Sequence, residues 1–135
     1  SKWTDQELGV AFGRQVPIIP IRLGVDPYGL IGKYQAMMVQ QGTYGLAEEV
    51  YDLLWKDPKL HADLTEGIVS RLEASESWAE SKFLMTPMRR IQRLSPDLIS
   101  RLRQALETNS QVSGSFGVKA KVESLISHAE AMPVI

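Results

Sequence analysis

The sequence predicts a mainly α-helical chain: a small helical bundle preceded by a truncated α/β segment with one strand. Three observations carry that expectation. Every apolar repeat after Gly45 has helical spacing, three X-Pro dipeptides stand where helices would begin, and the one continuous apolar run of strand length, Val16-Pro17-Ile18-Ile19-Pro20-Ile21, lies near the amino end. The change of character falls at residues 42–45, so residues 1–44 are expected to hold helix, strand and loop, and residues 45–135 a helical module.

Thr4 to Arg14 reads as a short helix with Leu8, Ala11 and Phe12 on one face, and Gly13 is placed to help end it. The Val16 to Ile21 run, bounded by Gly13 and Gly24, is expected to be extended and largely buried. Its two prolines each lack a ladder donor, which points to an edge position or an interrupted ladder, paired with another chain or a short local segment. Gly24 to Gly45 reads as a long connection holding at most a short helix around Ile31 to Val39.

Beyond Gly45 five or six helices are expected. Asp57-Pro58, Thr86-Pro87 and Ser95-Pro96 each offer a side-chain acceptor at the N-cap and a proline at the first helical position. Apolar stripes recur at Leu46, Val50, Leu53 and Leu54, at Leu60, Leu64, Ile68 and Leu72, at Leu98, Leu102, Ala105 and Leu106, and at Val118, Val122, Leu125 and Ile126. Ser77 to Met85 and Met88 to Arg93 read as shorter helices. One stripe per helix means that each needs a partner face, which predicts a small antiparallel bundle.

The composition, 44% hydrophobic and 23% charged over 135 residues, is that of a globular chain. Fifteen Lys and Arg against sixteen Asp and Glu leave no field to attract nucleic acid or an anionic membrane, so neither is expected as a partner. The absence of cysteine excludes thiol catalysis, disulfides and thiolate metal sites, and fits a reducing compartment; a cytoplasmic location is expected. No apolar run approaches the roughly 20 residues that a membrane span requires.

The most informative constellation is Ser1-Lys2-Trp3-Thr4-Asp5-Gln6-Glu7-Leu8-Gly9-Val10-Ala11, followed by the apolar run and then Gly24-Val25-Asp26-Pro27-Tyr28-Gly29. Trp3 and Glu7 are four apart and share a face on a helix, where an aromatic plane beside a carboxylate can hold a ribose or a nicotinamide ring. This stretch resembles the part of Toll/interleukin-1 receptor (TIR) domains in which a Ser-x-Trp-x-x-x-Glu helix precedes the fourth strand. The resemblance covers about the first forty residues, the back half of such a domain. It implies that Glu7 is the residue on which cleavage of the nicotinamide–ribose bond depends, with Trp3 binding substrate beside it, and that NAD is a substrate of a parent protein rather than a cofactor. It also implies assembly, either as a homo-oligomer or with another TIR-like chain.

Because the chain opens on Ser1 within helix-like sequence, a trimmed or proteolytic piece of a longer protein is expected. The family's first three strands and the loop that frames its nucleotide pocket would then precede Ser1, and these 135 residues alone are expected not to cleave NAD. The segment Asn109-Ser110-Gln111-Val112 with Ser115-Phe116 is similar to the helical tail that follows some bacterial TIR domains; physically, Asn109 reads as a helix C-cap able to adopt positive φ.

Other motifs read as structural. His61 and His128 lie 67 positions apart without patterned acids nearby, so no metal site is expected. Arg89, Arg90, Arg93, Arg101 and Arg103, interspersed with acids such as Asp97 and Glu107, read as a solvated helical face. No Gly-x-Ser-x-Gly elbow or phosphate-binding glycine fingerprint is present. Two alternatives to the enzyme remain: a non-catalytic interaction module, with Trp55, Trp78 and Phe83 as anchors, and a helical regulatory domain.

Overall fold

The structure, a computed structural model, describes residues 2–16, 18, 21–22, 37–38 and 43–132, and divides into two compact units, Ser1–Leu53 and Leu54–Ile135. In the first unit α1 runs Lys2–Gly13. Gly13 is its last residue. The turn is made by Gln15, whose φ of 57° is left-handed, with Arg14 N–H donating to Val10 O (3.0 Å) and Val16 N–H to Ala11 O (2.9 Å). That six-residue closure is a Schellman motif, and placing a residue with a Cβ at its left-handed position costs on the order of 1 kcal/mol relative to glycine.

Val16 therefore completes the helix cap and stays 51% exposed, which corrects the expectation of a buried strand at that residue; Ile18 is half-buried, Ile21 is extended, and residues 17, 19 and 20 lie outside the described residues. Among the described residues regular pairing begins at Ile21, past the two prolines that cannot donate to a ladder. In place of one long strand, β1 (Ile21–Arg22) pairs in parallel with β2 (Met37–Met38), in the register Ile21 to Met37 and Arg22 to Met38. A short local segment is thus its partner. The short helix expected around Ile31 to Val39 is also corrected at Met37–Met38, where backbone donors serve the ladder instead; residues 31–36 and 39 lie outside the described residues.

Six α-helices follow among the described residues: α2 (Thr43–Trp55), α3 (His61–Glu73), α4 (Trp78–Met88), α5 (Pro96–Thr108), α6 (Ser110–Ser113) and α7 (Val118–Ala131). No strand occurs after Thr43 among the described residues, as the helical spacing predicts. None of the described helices is long and apolar enough to cross a membrane. The chain is mainly α-helical.

Within the second unit, α3 packs against α4 and α5, while α6 and α7 pack against both α4 and α5. The predicted stripes meet in its core. Ile68 and Leu72, Leu98, Leu102 and Ala105, and Val118, Val122 and Ile126 are all buried, joined by Val69, Leu84, Met85, Met88, Ile91 and Val112. Leu64, Leu106 and Leu125 are half-buried at the margins.

Two of the three X-Pro starts hold. Asp57 caps the 3-10 turn Pro58–Leu60 that leads into α3, accepting from Lys59 N–H (3.0 Å), and Ser95 caps α5 by accepting from Leu98 N–H (3.3 Å). Thr86-Pro87 starts nothing, because both residues lie in the last turn of α4. The helix has already begun at Ser77, whose Oγ accepts from Glu80 N–H (3.1 Å) while Glu80 Oε2 accepts from Glu76 N–H (3.0 Å). Pro87 removes one ladder donor where the helix is about to stop, so the loss is tolerated. The helix expected from Met88 to Arg93 is replaced by tight turns, Arg90 N–H to Pro87 O (3.1 Å) and Ile91 N–H to Met88 O (3.1 Å), that bring Ile91 into the core.

Candidate functional site

Glu7 lies near the middle of α1, one turn beyond Trp3, so the helix gives the two positions the common face that their spacing predicts. The Glu7 side chain is exposed and makes no hydrogen bond or ion pair among the described residues. The side chain of Trp3 lies outside the described part of the helix. The chain leaves α1 through a left-handed turn at Gln15, and Ile21–Arg22 pair in parallel with Met37–Met38.

In the helical unit several ionisable groups are bound to one another. Arg101 on α5 reaches across to α3, where Nε and Nη2 donate to the two Glu73 carboxylate oxygens (3.0 and 2.7 Å), Nη1 to Glu66 (2.6 Å) and Nη2 to Ser70 Oγ (2.9 Å). These bonds, chiefly to Glu73 and then to Glu66, raise the affinity of Arg101 for its proton; the Arg101 bond in turn holds the Glu66 carboxyl below the usual range. Arg103 donates to Glu130 (2.7 Å), and Arg71 pairs with Glu80. Arg89, Arg90, Arg93 and Arg103 are exposed, as a solvated face predicts, while the half-buried Arg101 clamps two helices, a pairing between positions 28 and 35 apart that no local pattern reveals.

Asn109 is the C-cap of α5, as the sequence predicts, with its N–H donating to Ala105 O (3.0 Å), but its φ is −107°, not positive. Its side chain does more: the amide donates to Glu73 O and Ser75 O (3.0 Å each) while Oδ1 accepts from Gln111 N–H (2.9 Å). It caps the start of α6 and ties that start to the end of α3. Beside it Ser75 donates to Ser77 O (3.1 Å), which leaves the Ser81 hydroxyl to donate to Ser75 (2.7 Å), and Ser115 Oγ donates to Trp78 O (3.0 Å). Ser75, Ser81 and Ser115 are buried, and each is satisfied.

His61 is engaged with Trp55. Its Nε2 donates to Trp55 O (2.7 Å), and its ring stacks on the Trp55 indole at 4.3 Å and 12°. The pair borders a cleft of about 840 Å³ together with Pro58, Thr65, Arg93 and Leu98. His128 is exposed in the last turn of α7, and among the described residues no three His, Asp or Glu side chains gather to hold a metal. Of the aromatic anchors expected from the sequence, Trp55 and Phe83 are half-buried and Trp78 is 62% exposed. Phe116, 93% exposed, was not marked as an anchor by the sequence, since a single aromatic between Ser115 and Gly117 has no periodicity to show which way it faces.

No family model, curated protein or solved structure matches this chain.

Proposed function

We propose that the chain is the C-terminal part of a TIR-type enzyme that hydrolyses NAD in bacterial immune signalling, with Glu7 as its catalytic carboxylate and Trp3 as a wall of the substrate pocket. What supports this reading is α1 itself: a Trp-x-x-x-Glu helix whose carboxylate is exposed and unpaired among the described residues, followed at once by a parallel ladder. The helical residues 45–135 form an accompanying module, and the parent assembles with itself or with another TIR-like chain in the cytoplasm.

In the reaction the bond between nicotinamide nitrogen and ribose C1′ breaks, and its electron pair leaves with nicotinamide. Water adds to C1′ and gives up a proton, yielding ADP-ribose. Glu7 acts on the cation that grows at C1′ and on the ribose hydroxyls, a role that needs a fixed negative charge and no metal ligand from the protein. Positioning accounts for much of such catalysis, roughly 7–11 kcal/mol, and one carboxylate cannot supply it.

The test is NAD consumption by the full-length parent, by its Glu7→Gln variant and by residues 1–135. Glu7→Gln is expected to reduce turnover to background with an unchanged melting temperature, and residues 1–135 to be inactive. Equal activity of parent and variant would remove Glu7 from the mechanism. An inactive, well-folded parent would favour the reading of the chain as a non-catalytic interaction module.

A further inference from the structure

The cleft beside the Trp55–His61 pair lies wholly within the helical unit and is lined by two stretches of chain, residues 55–66 and residues 92–98. Its volume, about 840 Å³, is that of a small-molecule site. The aromatic part is fixed before any ligand arrives: His61 Nε2 donates to Trp55 O (2.7 Å), the two rings stack at 4.3 Å, and the buried Thr65 braces that turn by donating to His61 O (2.7 Å). Leu98, buried, and Leu94, half-buried, add apolar lining. The charged lining residues differ in how they are engaged. Glu66 is bound to Arg101 (2.6 Å). Asp63 and Arg93 are exposed, and neither has a hydrogen bond or ion pair among the described residues, nor do they pair with each other. Asp63 suits the first turn of α3, where the helix end is positive, but its oxygens remain free, and Arg93 has no such local role. One carboxylate and one guanidinium thus line the same cleft with their charges uncommitted.

Those two charges select the ligand. A nucleotide or another polyanion meets Arg93 but also the carboxylates of Asp63 and Glu66, and a bare cation meets Arg93 as a like charge. A molecule with one ammonium and one carboxylate satisfies both uncommitted groups without displacing a partner of either. We propose that this cleft binds a zwitterionic small molecule, a free amino acid or dipeptide with an apolar or aromatic side chain, its carboxylate held by Arg93, its ammonium by Asp63 and its side chain against Trp55, Leu94 and Leu98. The planar guanidinium offers a carboxylate two parallel N–H groups, which fixes direction as well as strength. Two hydroxyls in the lining complement the same charges. Thr65 Oγ has given its proton to His61 O and can only accept, as an ammonium requires; Ser95 Oγ accepts from Leu98 N–H and still has its own proton to give, as a carboxylate requires. Because both charged groups are exposed to water, the affinity is modest, in the range of about 10 µM to 1 mM.

This site is independent of NAD cleavage, and its test contains no NAD. Calorimetric titration of the whole chain with L-leucine, L-methionine, L-phenylalanine, L-tryptophan and the dipeptide L-leucyl-L-phenylalanine is expected to show saturable binding of at least one of them in that range. Removing either charge from the tightest probe, by acetylating its amine or converting its carboxylate to the amide, is expected to weaken binding about 10-fold or more. The variants mirror the ligands. Arg93→Met is expected to weaken the intact probe by about the same factor and to erase its advantage over the amide, while Asp63→Asn erases its advantage over the acetylated form. Both side chains are exposed and hold no partner among the described residues, so the variants keep the fold, which circular dichroism checks. Lys121→Met, exposed on α7 and outside the cleft, is the control and is expected to change nothing. Failure of every probe to bind at about 10 mM would overturn the proposal. So would binding indifferent to both Arg93→Met and Asp63→Asn, variants that weaken the intact and charge-deleted probes alike, or ADP binding more tightly than any zwitterion in a manner that depends on Arg93.

Discussion

Removing the Asn109 side chain tests whether the helical unit is held by a polar clamp or only by its apolar stripes. Asn109→Ala deletes three hydrogen bonds at once, two from its amide to Glu73 O and Ser75 O and one from Gln111 N–H to its Oδ1. At about 1 kcal/mol net per bond the loss is roughly 2–4 kcal/mol, because two carbonyls and one N–H in a partly buried site lose their partner together. Against a total of about 4–12 kcal/mol for a unit of this size, that is a large fraction. It corresponds to a fall in melting temperature of roughly 8–32 °C. Urea unfolding followed by circular dichroism reads the change.

The discriminating variant is Asn109→Asp. With two carbonyls on one side and an N–H on the other, the native amide has a single satisfactory orientation. Aspartate keeps the acceptor that caps α6 but turns an oxygen toward the two carbonyls, so it loses both donated bonds and adds repulsion. It is expected to destabilise at least as much as alanine does. An Asn109→Asp variant as stable as wild type would show that the residue acts as a helix cap alone and would refute the clamp.

Two other perturbations probe the same unit. Leu102→Ala, at a fully buried position where α5 faces the core, is expected to cost about 3–5 kcal/mol in a urea titration, the range for a cavity that its neighbours cannot fill. Because the Arg101 bond lowers the Glu66 carboxyl relative to the unfolded chain, that contribution is present above the ordinary carboxylate range and is lost as pH falls through the lowered folded-state value. Melting temperature is therefore expected to drop on acidification below about pH 4.5, and Arg101→Met is expected to flatten that drop; an unchanged acid limb in Arg101→Met would break the link.

What was legible in the sequence was what local chemistry decides. Ser95-Pro96 starts a helix because acceptor, proline and the Leu98-Leu102-Ala105 stripe all lie within three turns. Thr86-Pro87 carries the same signature and misleads, since Ser77 and Glu80 start α4 nine residues earlier and the burial of Leu84, Met85 and Met88 carries the helix through the proline. The role of Asn109 was out of reach for a different reason. Its partners lie 34 and 36 positions away, and the local pattern, a helix end followed by a polar loop, is the same for a cap as for a clamp. Val16 likewise belonged to two patterns, an apolar run and a helix cap, and the cap took it. Glu7 was legible only as a spacing within a family resemblance, because a Trp-x-x-x-Glu pair fixes a common face and nothing more.

The division of polar groups between the two units gives the functional reading its shape. In the helical unit several half-buried and buried polar side chains hold helices together: Arg101 with Glu66 and Glu73 joins α3 to α5, Asn109 joins α3 to α6, and Ser115 joins the Phe116 loop to α4. A group bound in that way is a poor candidate for chemistry, since recruiting it to a substrate means first breaking contacts that hold the fold. Glu7 is in the opposite condition, with its charge exposed and no partner among the described residues to give up. A carboxylate of that kind contributes little to stability and loses little when substituted, so natural selection on folding has no reason to hold it. If Glu7→Gln leaves the melting temperature of the parent untouched while turnover disappears, the residue is kept for what it does to substrate; if stability falls along with turnover, its place in the site is structural.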